Sequence, residues 1–344
     1  MPLRIAVDAM GGDDAPGSIV AGAVRAAREL PHDVILVGIE SRVTEALHRY
    51  AQRPPNLHVQ HAAEVIEMHE APAASVRKKR DASVSVAAQL VKEGQADALV
   101  TAGNTGASVV AATWRLGLLE GVERPGIAIL LPTLHGVTLL IDAGANIDPK
   151  PEHLQQYALM GASYSQHVLG CAQPRVGLLN VGEEESKGTD VLREAYTLLE
   201  HTPGIQFTGN VEGRDLFDGE VNVIVCDGFV GNVALKASEA LAQTISRILR
   251  RELTRNLLTR LGAWLSQPAF SALRQELDYA EYGGAPLLGV AGACIICHGS
   301  SSAKAIKNAI RVAAEFVEHD LNRHIIESIR RSTTSLRGSE SHHA

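Results

Sequence analysis

The sequence predicts an α/β fold, a three-layer α/β/α sandwich with a mostly parallel sheet and a protruding amphipathic helical arm. At least six times, an apolar run ends in a short loop rich in Gly, Asn, Asp or Ser, and a helical stretch follows at once. Strands that alternate with helices in this way pair mostly in parallel, through right-handed crossovers. With 344 residues, 45% of them hydrophobic and 4% aromatic, the chain can form one large unit with an aliphatic core. We expect a single domain over 1–331, with the arm at about 240–280, and a polar, disordered tail over 332–344.

The individual elements follow from apolar periodicity and from the turn residues that bound each run. Strands are predicted over 4–8, 34–37, 57–61, 98–101, 127–131, 137–141, 175–180, 221–226 and 293–297. Helices are predicted over 17–30, 41–52, 83–93 and 107–116, up to about 169, over 189–200, from 232 onward, and from 303 to about 330. Pro16 suits the first turn of a helix. The strands 127–131 and 137–141 should pair antiparallel, because the turn between them is too short for a crossover.

Charge and hydropathy exclude several classes of function. The net charge of −7 argues against nucleic acid as the main ligand. The N-terminus has no long apolar segment, and no uncharged run approaches the length of a membrane-spanning helix. We therefore expect a cytoplasmic protein that touches a membrane surface.

The four cysteines are predicted to be reduced thiols of the core. Cys294 and Cys297, followed by His298, match the haem-attachment pattern as a string. They lie in an apolar run that is typical of a buried strand, where residues three apart point to opposite faces. The two thiols should therefore not converge on one metal or one haem.

The loops between strands and helices are the candidate binding sites. A helix that begins directly after a strand presents unpaired N–H groups and the positive end of its dipole, which suits phosphate. In the first loop, Asp8 ends the strand, and Gly11 and Gly12 let the backbone approach a ligand closely. A plain capped turn with solvated acids is an equal alternative there. The loop 102–107 adds further candidates and equally suits simple helix capping: Asn104, Thr105 and Gly106.

The loop 180–188, with sequence NVGEEESKG, is more specific. Three consecutive acids would repel phosphate, but Ser186, Lys187 and Gly188 are typical phosphate partners. Lys187 provides a compact charge that suits phosphate or a developing oxyanion. The alternative is a solvated charge run at a helix start.

Two further loops follow the same design. In DGFVGN, Asp227 ends a strand, Gly231 and Asn232 open a helix, and the apolar Phe229 and Val230 suit a site that meets an acyl chain. Asn232 as a mere N-cap is the alternative. In HGSSSAK, the candidates are His298, for proton transfer, with Gly299 and Ser300. No dinucleotide-binding or Walker A string is present.

The segment 247–260 holds five arginines and one glutamate and leads into an apolar stretch, in which Gly262 and Pro268 are predicted to break the helix. Such a basic amphipathic helix suits an anionic membrane or an acidic protein, and the alternative is an arm buried in a dimer interface. A second basic stretch, VRKKRD at 76–81, precedes a helix. The candidate contacts with an acidic protein or a membrane are Arg247, Arg250, Arg251, Arg255, Leu257, Arg260, Leu261, Trp264 and Leu265.

The chain resembles the bacterial phosphate acyltransferases, the fatty acyl-carrier-protein:phosphate transacylases of phospholipid synthesis. The matching strings are AVDAMGGDDAP, TAGNTGA, NVGEEESKGTD, CDGFVGNVALK, EYGGAPLLGVAG and HGSSSAKAIKNAI, which together span 6–310. The resemblance implies an isopropylmalate-dehydrogenase-like fold and a homodimer. The mechanism that we infer requires no cofactor, and we assign no metal ligand. The resemblance also implies that phosphate attacks the thioester of a long-chain acyl-carrier protein, releasing acyl phosphate for a membrane glycerol-3-phosphate acyltransferase. In relatives, the helical tip corresponding to about 253–273 is associated with membrane contact.

For a thioester, which is already activated, catalysis requires mainly positioning and oxyanion stabilisation. We expect Asn232, Ser186, Lys187 and the loop N–H groups to hold phosphate. Either Lys187 or His298 would stabilise the oxyanion or protonate the leaving thiolate, and Asp8 or Asp227 would orient these groups.

Three alternatives remain open at this stage. The first is a short-chain acyl-CoA:phosphate transacylase, and the second is a non-catalytic membrane scaffold. The third is a metal- and NAD-dependent dehydrogenase of the same fold, with Asp142, Asp148 and His153 as candidate ligands.

Overall fold

The computed structural model describes residues 2–271 and 279–340, with the side chains of 279 and 334–340 excepted. Its centre is an eleven-stranded sheet. The strands are β1 Arg4–Asp8, β2 Asp33–Gly38, β3 Leu57–His61, β4 Ala98–Thr101, β5 Gly126–Thr133, β6 Gly136–Ile141, β7 Arg175–Leu179, β8 Gln206–Val211, β9 Val223–Val225, β10 Ala285–Leu288 and β11 Ala293–Ile296.

Helices flank this sheet, so the predicted α/β class is confirmed. The helices are α1 Gly17–Glu29, α2 Glu40–Leu47, α3 Pro72–Lys78, α4 Ser83–Lys92, α5 Thr105–Leu116, α6 Pro151–His167, α7 Asp190–Glu200, α8 Gly228–Leu253, α9 Leu257–Leu265, α10 Tyr279–Tyr282, α11 Ala303–Glu318 and α12 Leu321–Glu340.

The strand order is β3-β2-β1-β4-β11-β10-β5-β6-β9-β7-β8. Seven of the ten pairings in the described chain are parallel, which confirms the mostly parallel sheet. The three antiparallel pairings, β11 with β10, β10 with β5, and β5 with β6, follow one another in the middle. Because three reversals separate the halves, β1, β4 and β11 run in the opposite direction to β6, β9 and β7.

Alternation along the strands places apolar side chains on both faces of the sheet. In β1, Ile5 and Val7 belong to one core cluster and Ala6 to the other, and all three are at most 1% exposed. Residues of α1 and α11 fill the first cluster, and residues of α4 and α5 fill the second. A strand that is covered on both faces reads as a continuous apolar run, which is why β1 was identifiable from the sequence.

Five features differ from the sequence prediction. Strands β8 and β10 and helix α3 were not predicted; β10 is only four residues long and contains Pro286, and α3 lies where a basic stretch was noted. The single helix expected from 303 to about 330 is divided in two at Asp320, whose φ of 47° ends α11. Helix α12 continues to Glu340 and so enters the segment predicted as a disordered tail, because its buried Ile325 and Ile329 anchor it to the core.

Candidate functional site

The first loop cluster comprises the loops that follow β1, β4 and β11, at 9–16, 102–104 and 297–302. These strands are parallel neighbours, so their carboxyl ends meet. The Asp13 N–H donates to the Gly299 carbonyl over 2.8 Å. A Cβ on Gly11 would lie 2.6 Å from the Gly103 nitrogen, so glycine is required for the loops after β1 and β4 to touch.

Asp8 lies at the base of this cluster and is only 3% exposed. Its Oδ2 accepts from the Thr101 hydroxyl at 2.9 Å, and its Oδ1 accepts from the Met10 N–H at 3.2 Å. Burial raises the pKa of the Asp8 carboxyl, and the hydroxyls of Ser83 and Thr101 oppose that shift. Asp8 is thus placed to hold the loop in shape, beneath the surface that a ligand would meet.

Asn104 caps α5, and both ends of its side chain are engaged. Its Oδ1 accepts from the Ala107 N–H at 3.0 Å, and its Nδ2 donates to the carbonyls of Met68 and Glu70 at 2.8 and 3.2 Å. The cap leaves the first N–H groups of α5, at Thr105 and Gly106, without helical partners. An anion at this point would therefore meet backbone donors, with Asn104 as their support.

His298 is exposed at the end of β11. Its Nδ1 lies 2.8 Å from the Ser300 hydroxyl and accepts the Ser300 N–H at 3.2 Å. With Nδ1 accepting, the neutral ring carries its proton on Nε2, which can donate to an oxyanion. Next to it, Ser302 caps α11 by accepting the Ala305 N–H, and Gly12, with a φ of 112°, faces the Gly299 carbonyl.

The second loop cluster comprises the segments that follow β6, β9 and β7, at 142–150, 226–232 and 180–189. These strands are also parallel neighbours. Asp142, which is fully buried, organises the first segment. Its carboxylate accepts the N–H groups of Ile127, Gly144, Ala145 and Asn146 at 2.7 to 3.1 Å. Burial raises the pKa of Asp142, and these four donors oppose the shift.

Asp227, rather than Asn232, begins the helix in the second segment. The Asp227 carboxylate accepts the Val230 N–H at 2.8 Å and caps α8, which starts at Gly228. Asn232 is therefore inside the helix, where its exposed side chain adjoins Gly144; a Cβ on Gly144 would lie 3.6 Å from the Asn232 Cβ. The alternative that Asn232 is only an N-cap is wrong, and Phe229 and Val230 belong to the first turn of α8.

The third segment, 180–189, is tied down by two asparagines that the sequence analysis did not single out. Asn180 Nδ2 donates to the Lys187 carbonyl at 3.2 Å, and Asn210 Nδ2 donates to the Glu184 carbonyl at 2.9 Å. Gly188 takes a φ of 85°, and Thr189 then caps α7. Asn180 could have been found from its place at a strand end, which it shares with Asp8 and Asp227.

Two of the three consecutive acids of this segment have protein partners. Glu183 forms an ion pair with Arg214, and Glu185 accepts from the Tyr196 hydroxyl at 3.3 Å. Ser186 and Lys187 are exposed. Among the described residues, no hydrogen bond or ion pair engages the Lys187 ammonium. This resolves the apparent conflict in the sequence, because two of the three carboxylates have protein partners while the lysine is available to an anion.

Exposed apolar side chains surround the second loop cluster. Val181 is 82% exposed, Ile147 71% and Phe229 63%. One such residue is ordinary on a protein surface, but three beside one group of polar loops suit a ligand with an apolar part.

The two loop clusters do not share one edge of the sheet. Each lies at the carboxyl ends of its strands, but the strands of one cluster run opposite to those of the other. No hydrogen bond or ion pair that we observe within the described part of the chain joins the two. The structure groups Asp227, Gly231, Asn232, Ser186, Lys187 and Gly188 in the second cluster, and Asp8, Gly11, Gly12, Asn104, Thr105, Gly106, His298, Gly299 and Ser300 in the first.

The residues raised for other chemistries have structural partners. His153 contacts Glu123 at 3.2 Å and accepts the Lys150 N–H at 3.0 Å. Within the described ranges, no group of three or more His, Cys, Asp or Glu residues is arranged to hold a metal ion. Cys294 and Cys297 belong to the core clusters on opposite faces of the sheet, as predicted, and burial raises the pKa of each thiol to about 12.

The predicted basic helix is divided into two. Helix α8 ends at Leu253, and α9 restarts at Leu257 because the Asn256 side chain accepts the Thr259 N–H at 3.0 Å. Gly262 lies inside α9, so the predicted break at this residue is wrong. Helix α9 ends at Leu265, three residues before the predicted break at Pro268. Every predicted contact residue of this arm is exposed: Arg247, Arg250, Arg251, Arg255, Leu257, Arg260, Leu261, Trp264 and Leu265.

No helix in the described ranges is both long and apolar enough to cross a membrane.

Comparison with known sequences finds relatives along nearly the whole chain. A family model described as "Fatty acid synthesis protein" matches residues 3–324. The phosphate acyltransferase of Pelotomaculum thermopropionicum is 52% identical over 334 residues, which cover 97% of this chain and 96% of the relative. The phosphate acyltransferase of Geobacter sulfurreducens is 48% identical over 333 residues, with the same shares.

Comparison with solved structures finds the same fold at low identity. A phosphotransacetylase from Streptococcus pyogenes aligns with a TM-score of 0.64 and 19% identity, covering 92% of this chain and 94% of that one. A 4-hydroxythreonine-4-phosphate dehydrogenase from Klebsiella pneumoniae aligns with a TM-score of 0.56 and 14% identity, covering 92% and 99%. At these identities the likeness concerns the fold alone.

Proposed function

The chain belongs to the phosphate acyltransferase family, and from that premise we propose that it transfers a long-chain acyl group from acyl-carrier protein to inorganic phosphate. The product, acyl phosphate, would supply a membrane glycerol-3-phosphate acyltransferase. That the protein is an acyltransferase follows from the family; the carrier-bound donor and the downstream acceptor are our proposal. The observation that carries it is the exposed Lys187 ammonium in a loop whose acidic neighbours are held by Arg214 and Tyr196.

We place the reaction at the second loop cluster. Neighbouring parallel strands lie about 5 Å apart, so the Lys187 loop after β7 and the start of α8 after β9 are adjacent. Lys187, Ser186 and Asn232 would bind phosphate, and Val181, Ile147 and Phe229 would contact the acyl chain.

The chemistry needs only positioning and charge stabilisation. A phosphate oxygen attacks the thioester carbonyl carbon, and the carbonyl electrons form an oxyanion. When that intermediate collapses, the C–S bond breaks, and the sulfur leaves with the bonding electrons and takes up a proton. A fixed cation such as Lys187 stabilises the oxyanion more than the neutral thioester, and therefore accelerates the step.

The first loop cluster supplies a second set of anion donors. The N-termini of α5 and α11 offer backbone N–H groups, and His298 Nε2 offers a further donor to an anion bound at that cluster. Asp8 and Asp227 are proposed as positioning residues, because both are hydrogen-bonded to the backbone of their own loops.

We also propose a homodimer and peripheral contact with the membrane surface. Helix α8 exposes Val233, Leu241 and Ile245 at 53%, 61% and 55%, an apolar face that a second copy would cover. Further out, Leu257, Leu258 and Trp264 are 82%, 81% and 66% exposed beside arginines, which suits an anionic lipid surface. The protein would then act in the cytoplasm, at the inner face of the cell membrane.

A turnover assay tests the proposal. Purified protein is incubated with inorganic phosphate and either palmitoyl-acyl-carrier protein or palmitoyl-CoA, and acyl phosphate is trapped with hydroxylamine. Product from the carrier-bound donor is expected. Product from CoA alone would favour a CoA-dependent transacylase, and product from neither would contradict the proposed reaction.

A further inference from the structure

We propose that a basic surface formed by α3 and the end of α5 docks the acidic carrier protein that bears the acyl group. We call it the α3–α5 basic surface; its residues are Arg77, Lys78, Arg80, Trp114 and Arg115. The proposal rests on the proposed function. It assigns carrier docking to this surface and membrane contact to the arm.

The charge of this surface opposes that of the protein. The segment 77–80 is four consecutive cations in a chain of net charge −7. Lys79 is engaged internally, since its ammonium donates to the Val65 carbonyl at 2.6 Å and pairs with Glu70. Arg77, Lys78 and Arg80 are exposed. A local positive field of this kind steers an acidic partner and raises its association rate.

An exposed indole lies among these cations. Trp114 is 49% exposed on α5, and the Arg77 guanidinium carbon lies 5.7 Å from the centre of its ring. This cation–π contact limits the motion of both side chains before a partner arrives. Tryptophan and arginine are the residue types enriched among interface residues that dominate binding energy, and pre-ordering lowers the entropy lost on docking.

A cleft of about 330 Å³ opens beside the surface and is lined in part by Arg80, Arg115 and Gln89. The Arg115 Nη2 donates to the Arg80 carbonyl at 3.1 Å, which holds its guanidinium in the cleft. Two carboxylates also line the cleft but have donors. Asp81 accepts the Ala63 N–H at 2.9 Å, and Glu93 accepts from the Gln89 and Gln95 amides at 2.8 and 3.2 Å. The arginines can therefore receive a carboxylate from outside.

The surface is connected directly to the first loop cluster. Trp114 follows the cap residue Asn104 by ten residues of helix, a distance of about 15 Å. Asn104 also donates to the carbonyls of Met68 and Glu70, just before α3. The start of α5, whose N–H groups belong to the first loop cluster, is therefore one helix length from this surface.

The composition of the arm favours contact with a lipid surface over docking of the carrier protein. The arm places its arginines beside a row of exposed leucines and Trp264, the arrangement that an interfacial helix uses on lipid. The α3–α5 basic surface instead presents cations around one indole, which suits the carboxylates of a folded acidic protein.

The test measures carrier binding directly. A fluorescently labelled holo-acyl-carrier protein is titrated with the full-length enzyme at low ionic strength. The double variant Lys78→Glu/Arg80→Glu changes two exposed side chains, and its thermal unfolding checks that it folds. Arg25→Glu, which reverses the charge of an exposed arginine on α1 at the opposite face of the sheet, is the control. Arg255→Glu represents the arm.

We expect the double variant to raise the Kd for the carrier about tenfold or more at low salt, and this effect to shrink as salt screens the charges. Arg25→Glu and Arg255→Glu should stay within about twofold of the unmodified protein. Weakened binding in Arg255→Glu with none in the double variant would assign docking to the arm and overturn the proposal, as would equal binding by all variants. If the unmodified protein forms no acyl phosphate, the proposed function fails, and the binding data still decide the docking surface.

Discussion

Gly231 in the first turn of α8 lies directly against the backbone of Asp142: a Cβ at this glycine would stand 1.9 Å from the Asp142 carbonyl oxygen. This contact fixes the helix that carries Asn232 against the loop organised by the Asp142 carboxylate. The geometry of the second loop cluster therefore requires a glycine at position 231.

The first prediction concerns this contact. Gly231→Ala should lower the free energy of unfolding by at least about 2 kcal/mol, because the clash is with backbone and no rotamer change relieves it. Urea denaturation measures it. The control is Gly262→Ala in α9, where nothing lies within 4 Å of the new methyl group; it should be neutral or stabilising by up to about 1 kcal/mol. Equal effects at the two sites would show that Gly231 is not constrained.

The second prediction concerns Lys187. Lys187→Ala should lower kcat at saturating phosphate about 100-fold, the usual cost of losing one group that stabilises an oxyanion. Steady-state turnover with the carrier-bound donor measures it. Lys307→Ala, which removes a surface ion pair with Glu29, should change kcat little. An unchanged kcat in Lys187→Ala would remove this lysine from the mechanism.

The third prediction concerns the buried Asp8. Because burial raises its pKa in the folded state, the folded protein holds this proton more tightly than the unfolded chain. The free energy of unfolding of the unmodified protein must then fall as the pH rises from the ordinary Asp pKa, about 4, through the raised pKa of Asp8. The Asp8→Asn variant has no such carboxyl and does not show this loss. The stability of Asp8→Asn relative to the unmodified protein should therefore increase between about pH 5 and pH 8.

Denaturation of both proteins at the two pH values checks this sign. Asp13→Asn, which alters an exposed carboxyl of the same loop, is the matched control. A stability difference for Asp8→Asn that is the same at both pH values would contradict the prediction.

The fourth prediction concerns the arm. Leu257→Glu/Trp264→Glu places charge on side chains that are 82% and 66% exposed, and should reduce binding to vesicles of anionic phospholipid about tenfold or more. Vesicle sedimentation measures it. Leu134→Glu, at an 83% exposed residue of the turn between β5 and β6, should bind as the unmodified protein does. Equal binding by the two variants would separate the arm from membrane contact.

The sequence was sufficient for the α/β class, the family and the local loop designs. Strands β1, β3 and β4 have the bounds that were predicted. For β1 and β4 the reason is that a strand covered on both faces is a continuous apolar run between turn residues. The antiparallel pairing of β5 with β6 also follows locally, from the short turn between them.

Only the tertiary structure decided how the loops are grouped. Nothing local in the four residues of β10, one of them a proline, shows that this strand inserts between β11 and β5 and reverses the direction of half the sheet. That reversal separates the His298 loop from the Lys187 loop. Likewise, the bond by which Asn210 holds the Lys187 loop joins it to a residue 26 positions away from Glu184 in the chain. Periodicity and turn residues reflect interactions between residues that are close in the chain, so the individual loops could be predicted from the sequence. Which loops meet depends on strand pairing between distant segments, which only the structure shows.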